Sequence, residues 1–406
     1  MRNIAACVAA ILICGMLSGC WNRIELNELS ITSATAFDVE GDEWVVTYQI
    51  VTPSAIASGM GITGGGTSQS PVSVFSTRGR TIREAVNQGA LENPRWLFFS
   101  HTNILVVSEK VARKGLGQIL DLFYRNPDNR ETVNVLITAG NPRTILEQLM
   151  HTEKIPGLGI RNVIFNESRN ASMLPSVMMY ELAMALTGDA RSAVIPEIVV
   201  AGGKPESSLD ELKKTYHSSK VRIGRLAVLH DEKFVGWLTK EESLGVSFIA
   251  NKVNATAIAF SCKHPDGNVY NSTFRLESSS TKLKPSYSNG RFAMSVEIKG
   301  SGNLVETGCA MDLSDPKVVK GLEKQLEAEV TQTVEKSWQA VKRLKTDVVG
   351  FADAVHRKYP KAWKQVKPDW ESSFVDIQIE PHVTISMNRI GLSNKSFKTP
   401  EKEEGG

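Results

Sequence analysis

The 406-residue sequence predicts an α+β chain of more than one domain. Three observations carry this. Strands and helices alternate through the first half. Strand-like runs followed by a long helical stripe fill the second. A polar stretch, Ala201 to Ser219, separates them. The boundaries expected are a signal segment over 1–19, a mixed α/β region over 20–200 that could hold two subdomains, a linker over 201–220, an antiparallel sheet packed on a long helix over 221–392, and a polar, disordered tail over 393–406.

The N-terminus is read first. Arg2 gives a basic start and Ile4 to Met16 is an unbroken apolar run. The run is too short to cross about 30 Å of hydrocarbon as a helix, and it has the length of a signal-peptide core. Leu17-Ser18-Gly19 then precedes Cys20. Small residues directly before a cysteine resemble the bacterial lipobox, in which the thiol takes a diacylglyceryl group before cleavage at its amino side. Cys20 is therefore the expected lipidation site, carrying diacylglycerol and an N-acyl chain. Several acyl chains hold a protein to a bilayer stably where one holds it only reversibly. The alternatives are an uncleaved anchor helix or a chance cysteine.

In the body, Ile31–Val39 and Trp44–Val51 are β-rich runs, with Gly41-Asp42 between them as a hairpin turn. Pro53 to Ser73 is rich in Gly, Ser and Thr without the lysine of a phosphate-binding loop, and predicts a mobile loop. Thr81 and Glu84 are spaced as a capping box, opening a helix that ends near Asn93-Pro94. A strand (Thr102–Ser108), a helix (Glu109–Arg125), a strand (Thr132–Ala139) and a helix from Pro142 follow. Met173, Met178, Met179 and Met184 mark a helical stretch that reads as core rather than as an adaptable binding surface.

Beyond the polar stretch, Val221–Leu229 and Lys233–Trp237 predict a hairpin turning at His230-Asp231. Val246–Ser261, Tyr270–Lys284 and Phe292–Glu306 predict further strands. The period then changes. Val318, Leu322, Leu326, Val330, Val334, Trp338, Val341, Leu344 and Val348 recur every three or four residues, one stripe along a helix of roughly 50–60 Å. Asp315-Pro316 marks its start. The stripe is expected to lie across its own domain's sheet. A short helical segment near Trp363 and strands Phe374–Glu380 and Val383–Asn388 close the domain.

Composition narrows the function. Lys and Arg number 47 against 44 Asp and Glu, a net of +3; loss of Arg2 with the signal segment leaves +2. That balance gives no electrostatic case for nucleic acid. Cys7 and Cys14 leave with the signal segment. Cys262 and Cys309 remain, with no CxxC, which argues against a zinc cluster. In an oxidising exterior the two can pair, closing a loop worth about 4 kcal/mol in chain entropy; the alternative is two unlinked, half-buried cysteines at strand ends. His230, Asp231 and Glu232 could ligate a metal, but their place in a turn reads as a solvated hairpin tip, so no metal and no cofactor are expected. No HExxH, GxSxG, P-loop or dinucleotide fingerprint occurs, and no Ser/His/Asp spacing singles out a triad. A cell-wall enzyme would need an acid/base pair in a cleft, and no pair is identifiable.

Several stretches, in order from Cys20 to about Leu392, resemble the C-subunit lipoproteins of nutrient germinant receptors in endospore-forming bacteria. They are Cys20-Trp21-Asn22-Arg23-Ile24-Glu25-Leu26, Tyr48-Gln49-Ile50-Val51-Thr52-Pro53, Gly79-Arg80-Thr81, Pro94 to Asn103, Phe234-Val235-Gly236-Trp237-Leu238 with Glu242 and Gly245, Gly300 to Glu306, Asp347-Val348-Val349-Gly350-Phe351, and Pro360 to Trp363. The resemblance implies a body without enzymatic activity on the outer face of the spore's inner membrane. It implies assembly with a larger membrane A subunit and a transporter-like B subunit, in a complex that starts germination on sensing small nutrients. The other reading is a substrate-binding lipoprotein that delivers a solute to a transporter; two similar α/β lobes on a hinge would mark it, and the second half has a different pattern. Trp237 and Glu242 are the candidate partner contacts, because an aromatic beside a carboxylate anchors many interfaces. Their alternative is structural: Trp237 in the core and Glu242 at a helix start.

Overall fold

The computed structural model describes residues 3–4, 24–57, 69–263, 269–309 and 311–389. The expected signal segment apart from Asn3 and Ile4, the lipid site Cys20, most of the Gly/Ser/Thr-rich loop, and the tail lie outside the described residues.

The first sheet begins with β1 (Leu29–Glu40) and β2 (Glu43–Val51), an antiparallel hairpin closed at Glu40↔Glu43 by Gly41, whose φ is +62°. A one-turn helix, α1 (Pro53–Ala57), precedes β3 (Val72–Gly79), which pairs back on β2. Thr81 caps α2 (Ile82–Glu92) by accepting from the Glu84 amide at 3.1 Å. The Glu84 carboxylate closes on the Arg80 amide at 2.9 Å, one residue earlier than the expected box. After the short β4 (Trp96–Phe98) and β5 (Ile104–Ser108), the expected single helix is two, α3 (Glu109–Lys114) and α4 (Gly117–Arg125). Gly115, at φ +123°, breaks it. The chain continues through β6 (Asn134–Thr138), α5 (Pro142–Glu147), α6 (Pro156–Asn170), α7 (Met179–Thr187) and β7 (Ser192–Gly202), then β8 (Ser219–His230) and β9 (Lys233–Leu238).

The strand order is β3-β2-β1-β5-β6-β7-β8-β9, with β4 beside β1. The centre, β1-β5-β6-β7, is parallel and the flanks are antiparallel. Parallel strands must be buried on both faces, and these are. Phe37, Val46, Leu105, Val107, Val135 and Ile137 share one apolar cluster with Ile82, Val111, Ile119 and Leu182 of the helices. Ala36, Ile104, Val106, Leu136 and Ile198 share another with Ile145 and Ile160.

Ala201 pairs with Lys220 and Gly202 with Ser219. The stretch expected as a linker is therefore the loop of a hairpin, and β8–β9, expected to open the second domain, completes the first sheet. The sequence hid this because Leu226, Ala227, Val228 and Leu229 are all buried. A strand covered on both faces gives no alternation to say which sheet it joins.

The second unit opens with α8 (Lys240–Ile249) and β10 (Thr256–Lys263), where one strand was expected over Val246–Ser261. Short apolar runs do not separate helix from strand, and the Thr239–Glu242 capping box decides for helix. β11 (Val269–Ser288) and β12 (Arg291–Glu306) continue antiparallel. β13 (Gln378–Arg389) lies parallel to β12, so the sheet is mixed rather than antiparallel throughout. A parallel return needs a helical crossover, supplied by α9 (Pro316–Leu344), α10 (Phe351–Lys358), α11 (Pro360–Val366) and α12 (Trp370–Val375). Phe374, expected to begin a strand, is in α12 and buried.

α9 runs 29 residues, about 44 Å. Asp315 accepts from the Lys317 amide at its start, and Lys345, left-handed at φ +52°, ends it before Val348. Leu322, Leu326, Val330, Val334, Trp338 and Val341 are buried, in one apolar core with Val296 and Ile298 of the sheet and Phe351, Trp363 and Phe374 of the crossover. Leu226, Val228 and Leu238 belong to the same core, so the two sheets are joined by packing as well as by chain. The free edge of β13 is not bare. The Ile385 and Met387 amides donate to the carboxylates of Glu327 (3.0 Å) and Glu323 (2.8 Å) on α9. Cys262 and Cys309 form a disulfide, tying β10 to the segment after β12.

Candidate functional site

Trp237 and Glu242 sit where the two units meet. The Trp237 indole donates to Glu109 on α3 at 3.1 Å, and its ring carries the Arg225 guanidinium at 4.2 Å and the edge of Phe234. Glu109 also holds Arg113, which lies 4.6 Å over Phe234. Glu242 is spent at the start of α8. Its carboxylate accepts from the Thr239 amide at 2.7 Å, its own amide donates to the Thr239 hydroxyl, and Arg343 of α9 reaches it at 3.4 Å. Gly245 explains the small residue one turn on: a Cβ there would lie 2.6 Å from the Thr333 carbonyl and against Ser337. Both side chains are thus engaged with their own chain, Trp237 against α3 and β8 and Glu242 at the start of α8 within reach of α9.

His230, Asp231 and Glu232 differ from a solvated tip. The turn has φ +45° and +63° at Asp231 and Glu232, and all three residues are half-buried. The His230 ring meets the Ser192 hydroxyl at 3.1 Å and Glu371 of α12 at 2.7 Å, so it stitches the first sheet to the crossover. The Glu232 carbonyl accepts from the Leu116 amide, seating the turn on the α3–α4 break.

Sequence reasoning missed one group. His151, Glu206 and His217 bring ligand atoms to within 4.8 Å of one another. They come from the segment after α5 and from both ends of the β7–β8 loop. No motif spacing announces them. Burial alone would raise the Glu206 carboxyl, but the Ser218 hydroxyl and amide, the Ser219 amide and His151 outweigh it and hold the group below the usual carboxylate range.

At the end of the first sheet where β1 begins, Ile24, Leu26, Leu91 and Trp96 are exposed by 54, 72, 82 and 66%. Leu29 pairs with Trp96, and Ser30 bonds Asn93, which brings Leu91 and Trp96 beside the start of β1. The apolar crevice under α2 and α4, lined by Phe37, Val46, Phe99 and Phe123, has room for only about 30 Å³. Larger hollows of about 680 Å³ along α2 and α4 and about 770 Å³ beside β11 and α10 are open to solvent.

Comparison with known proteins bears on this arrangement. Residues 22–200 match the family described as "Spore germination protein N-terminal domain", and residues 224–391 match "Spore germination B3/ GerAC like, C-terminal". The chain belongs to the GerAC-type family of spore germination proteins. Within that family, it is 29% identical to "Spore germination protein KC" of Bacillus subtilis (strain 168) over the whole of both chains. It is 26% identical to "Spore germination protein A3" of the same organism, over 93% of this chain and 95% of that one. The crystal structure of the GerBC protein shares the fold, with a TM-score of 0.55 and 19% identity, covering 87% of this chain and 96% of that one. The boundary between the two GerAC-type matches falls within the β7–β8 hairpin and the start of β8, so the family's two sequence regions share one sheet here.

Proposed function

We propose that this chain is the lipid-anchored, non-catalytic C subunit of a spore germinant receptor, assembling with membrane A and B subunits to start germination in response to small nutrients. The single observation that carries the reading is the family match along nearly the whole chain, residues 22–200 and 224–391. Relatives named as spore germination proteins KC, A3 and B3 support it.

The geometry supports a lipid tether at Cys20. Four residue steps separate Cys20 from Ile24, a reach of at most about 14 Å. A lipidated Cys20 would hold the Ile24, Leu26, Leu91 and Trp96 end against the headgroups. Exposed Trp and Leu favour such an interface, where an aromatic ring has one apolar and one wet side. The rest of the body would then stand away from the bilayer on its extracytoplasmic face, within reach of membrane subunits. Among the described residues no helix is long and apolar enough to cross a membrane. Solute delivery is the weaker reading, because two similar α/β lobes would mark it and here a large mixed sheet is followed by a four-stranded one.

The test is Cys20→Ala in spores. The expected result is loss of the chain from the inner-membrane fraction together with loss of the response to one nutrient class. Unchanged membrane retention and unchanged germination, with no second copy of the gene present, would sink the proposal.

A further inference from the structure

We propose that His151, Glu206 and His217 form a binding site for one divalent transition-metal ion, zinc by preference. The inference does not depend on the receptor reading. It rests on how the three side chains are held and on what they lack.

Glu206 is the centre. Its side chain is fully buried. Oε1 is satisfied three times, by the Ser218 amide at 2.5 Å, the Ser218 hydroxyl at 3.0 Å and the Ser219 amide at 3.3 Å. Oε2 is buried and has no hydrogen-bond donor. It faces His151 Nδ1 at 3.7 Å and His217 Nδ1 at 3.6 Å. Both ring nitrogens of His151 are likewise buried without a hydrogen-bond partner. The two imidazoles meet edge to face with centroids 4.0 Å apart. One carboxylate oxygen and two imidazoles therefore converge on a point that no protein donor serves. Buried polar atoms are satisfied in most native structures, and an orphaned set calls for an occupant.

Two of the three ligand-atom separations lie close to those of a metal site, and the third, between the imidazoles, is within 4.8 Å. Zinc holds imidazole nitrogen and carboxylate oxygen at about 2.0–2.1 Å, so neighbouring ligand atoms of a tetrahedron lie about 3.3–3.4 Å apart. The two Oε2–Nδ1 separations exceed that by only a few tenths of an ångström, a shift that side-chain rotation covers. Two nitrogens and one oxygen suit zinc, and they leave a fourth position for water or a partner's ligand. His217 is about half exposed, which gives the ion a path in.

The backbone prepares the set. The Glu206 amide donates to Gln148 Oε1 at 3.1 Å and to the Ser219 hydroxyl at 3.2 Å, and the Ser219 hydroxyl donates to Gln148 Oε1 at 2.8 Å. The Glu206 carbonyl accepts from the Leu149 amide at 2.7 Å. One residue thus fixes both histidine-bearing segments, through Leu149 two residues before His151 and through Ser218 next to His217. Bound metal would clip the β7–β8 loop to the segment after α5, on the first sheet.

The test uses the full chain in detergent, without a polyhistidine tag, stripped by chelator and titrated with zinc chloride by calorimetry. One saturable tight site per chain is expected. His217→Ala should weaken it by about a hundredfold or more, since loss of a ligand exceeds the cost of losing a supporting bond. Glu206→Gln keeps an oxygen for the Ser218 and Ser219 amides while removing the charge, and should weaken it similarly. His101→Ala, at an exposed histidine elsewhere, should leave it unchanged. Cobalt(II) in place of zinc should give the strong visible absorption of a four-coordinate site. No saturable zinc binding, or binding equally tight in folded His217→Ala and Glu206→Gln, would overturn the proposal and leave the group as a histidine–carboxylate contact.

Discussion

Asp347 offers the most direct test of how the second unit is held together. Its carboxylate is completely enclosed and takes five donors. Oδ1 accepts from the amides of Val349, Gly350 and Phe351 at 3.0–3.2 Å, and Oδ2 accepts from the Ala352 amide at 2.6 Å and the Trp370 indole at 3.2 Å. One side chain thus closes the start of α10 and ties α12 to it. Asp347→Asn is nearly isosteric, but an amide has one oxygen. With that oxygen at the three-donor side, the NH₂ group faces Ala352 and Trp370, and two buried donors lose their acceptor. At about 1–3 kcal/mol for each, the cost is about 2–6 kcal/mol, a large share of a typical domain's stability. The assay is hydrogen exchange of the 345–375 region under conditions where opening is limiting in free energy rather than rate. Exchange should accelerate by roughly thirtyfold to twenty-thousandfold, at 1.4 kcal/mol per factor of ten. Exchange within about threefold of the parent chain would refute the account.

Other outcomes follow from the same structure. Cys262→Ser with Cys309→Ser opens a link spanning 47 residues; chain entropy gives a loss of about 4 kcal/mol, read as a lower melting temperature that reductant no longer shifts. Glu167 of α6 accepts from the Met173 and Leu174 amides, yet burial is the larger influence and raises its carboxyl above the ordinary value. A raised acid binds its proton more tightly when folded, so its charge costs stability as pH rises through the range above 4.5. Melting curves of Glu167→Gln should therefore gain on the parent chain over that range, and a constant difference would refute the assignment. Trp237→Ala removes the contacts to Glu109, Arg225 and Phe234 and should cost about 2–4 kcal/mol, with the folded fraction still assembling with the proposed A and B subunits. Native stability with lost assembly would instead make Trp237 a partner contact.

Local signals in the sequence were enough for much of the fold. The β1–β2 hairpin was readable from Gly41-Asp42, the start of α2 from Thr81 and Glu84, and the course of α9 from the stripe between Leu322 and Val341. In each case the signal lies within a few residues of its effect. What stayed hidden depends on topology. Nothing in Val221–Leu229 says that it pairs with β7, because a doubly covered strand has no polar face. Nothing near Gln378 says that β13 returns parallel, because direction is set by the crossover and not by composition. The candidate site was harder still. His151 lies 55 residues before Glu206, and His217 lies 11 after it. Their convergence is a product of the sheet order. A clue was available in the polar stretch itself, which carries Glu206 and His217 in a chain with only 7 histidines. Trp237 and Glu242 were legible as special positions, but not that Glu109, Arg225 and Thr239 would engage them.

The pairing of Glu323 and Glu327 with the outer amides of β13 sets a ruler against the final strand. The acids are one helical turn apart and the amides two residues apart, so the spacings match in a single alignment. A slip of one residue would turn those amides inward, and a slip of two would carry them about 6.6 Å past their acceptors. The closing strand is therefore proofread from its outer side by the helix that delivered it, and the same two acids deny that margin to any stray strand from another molecule.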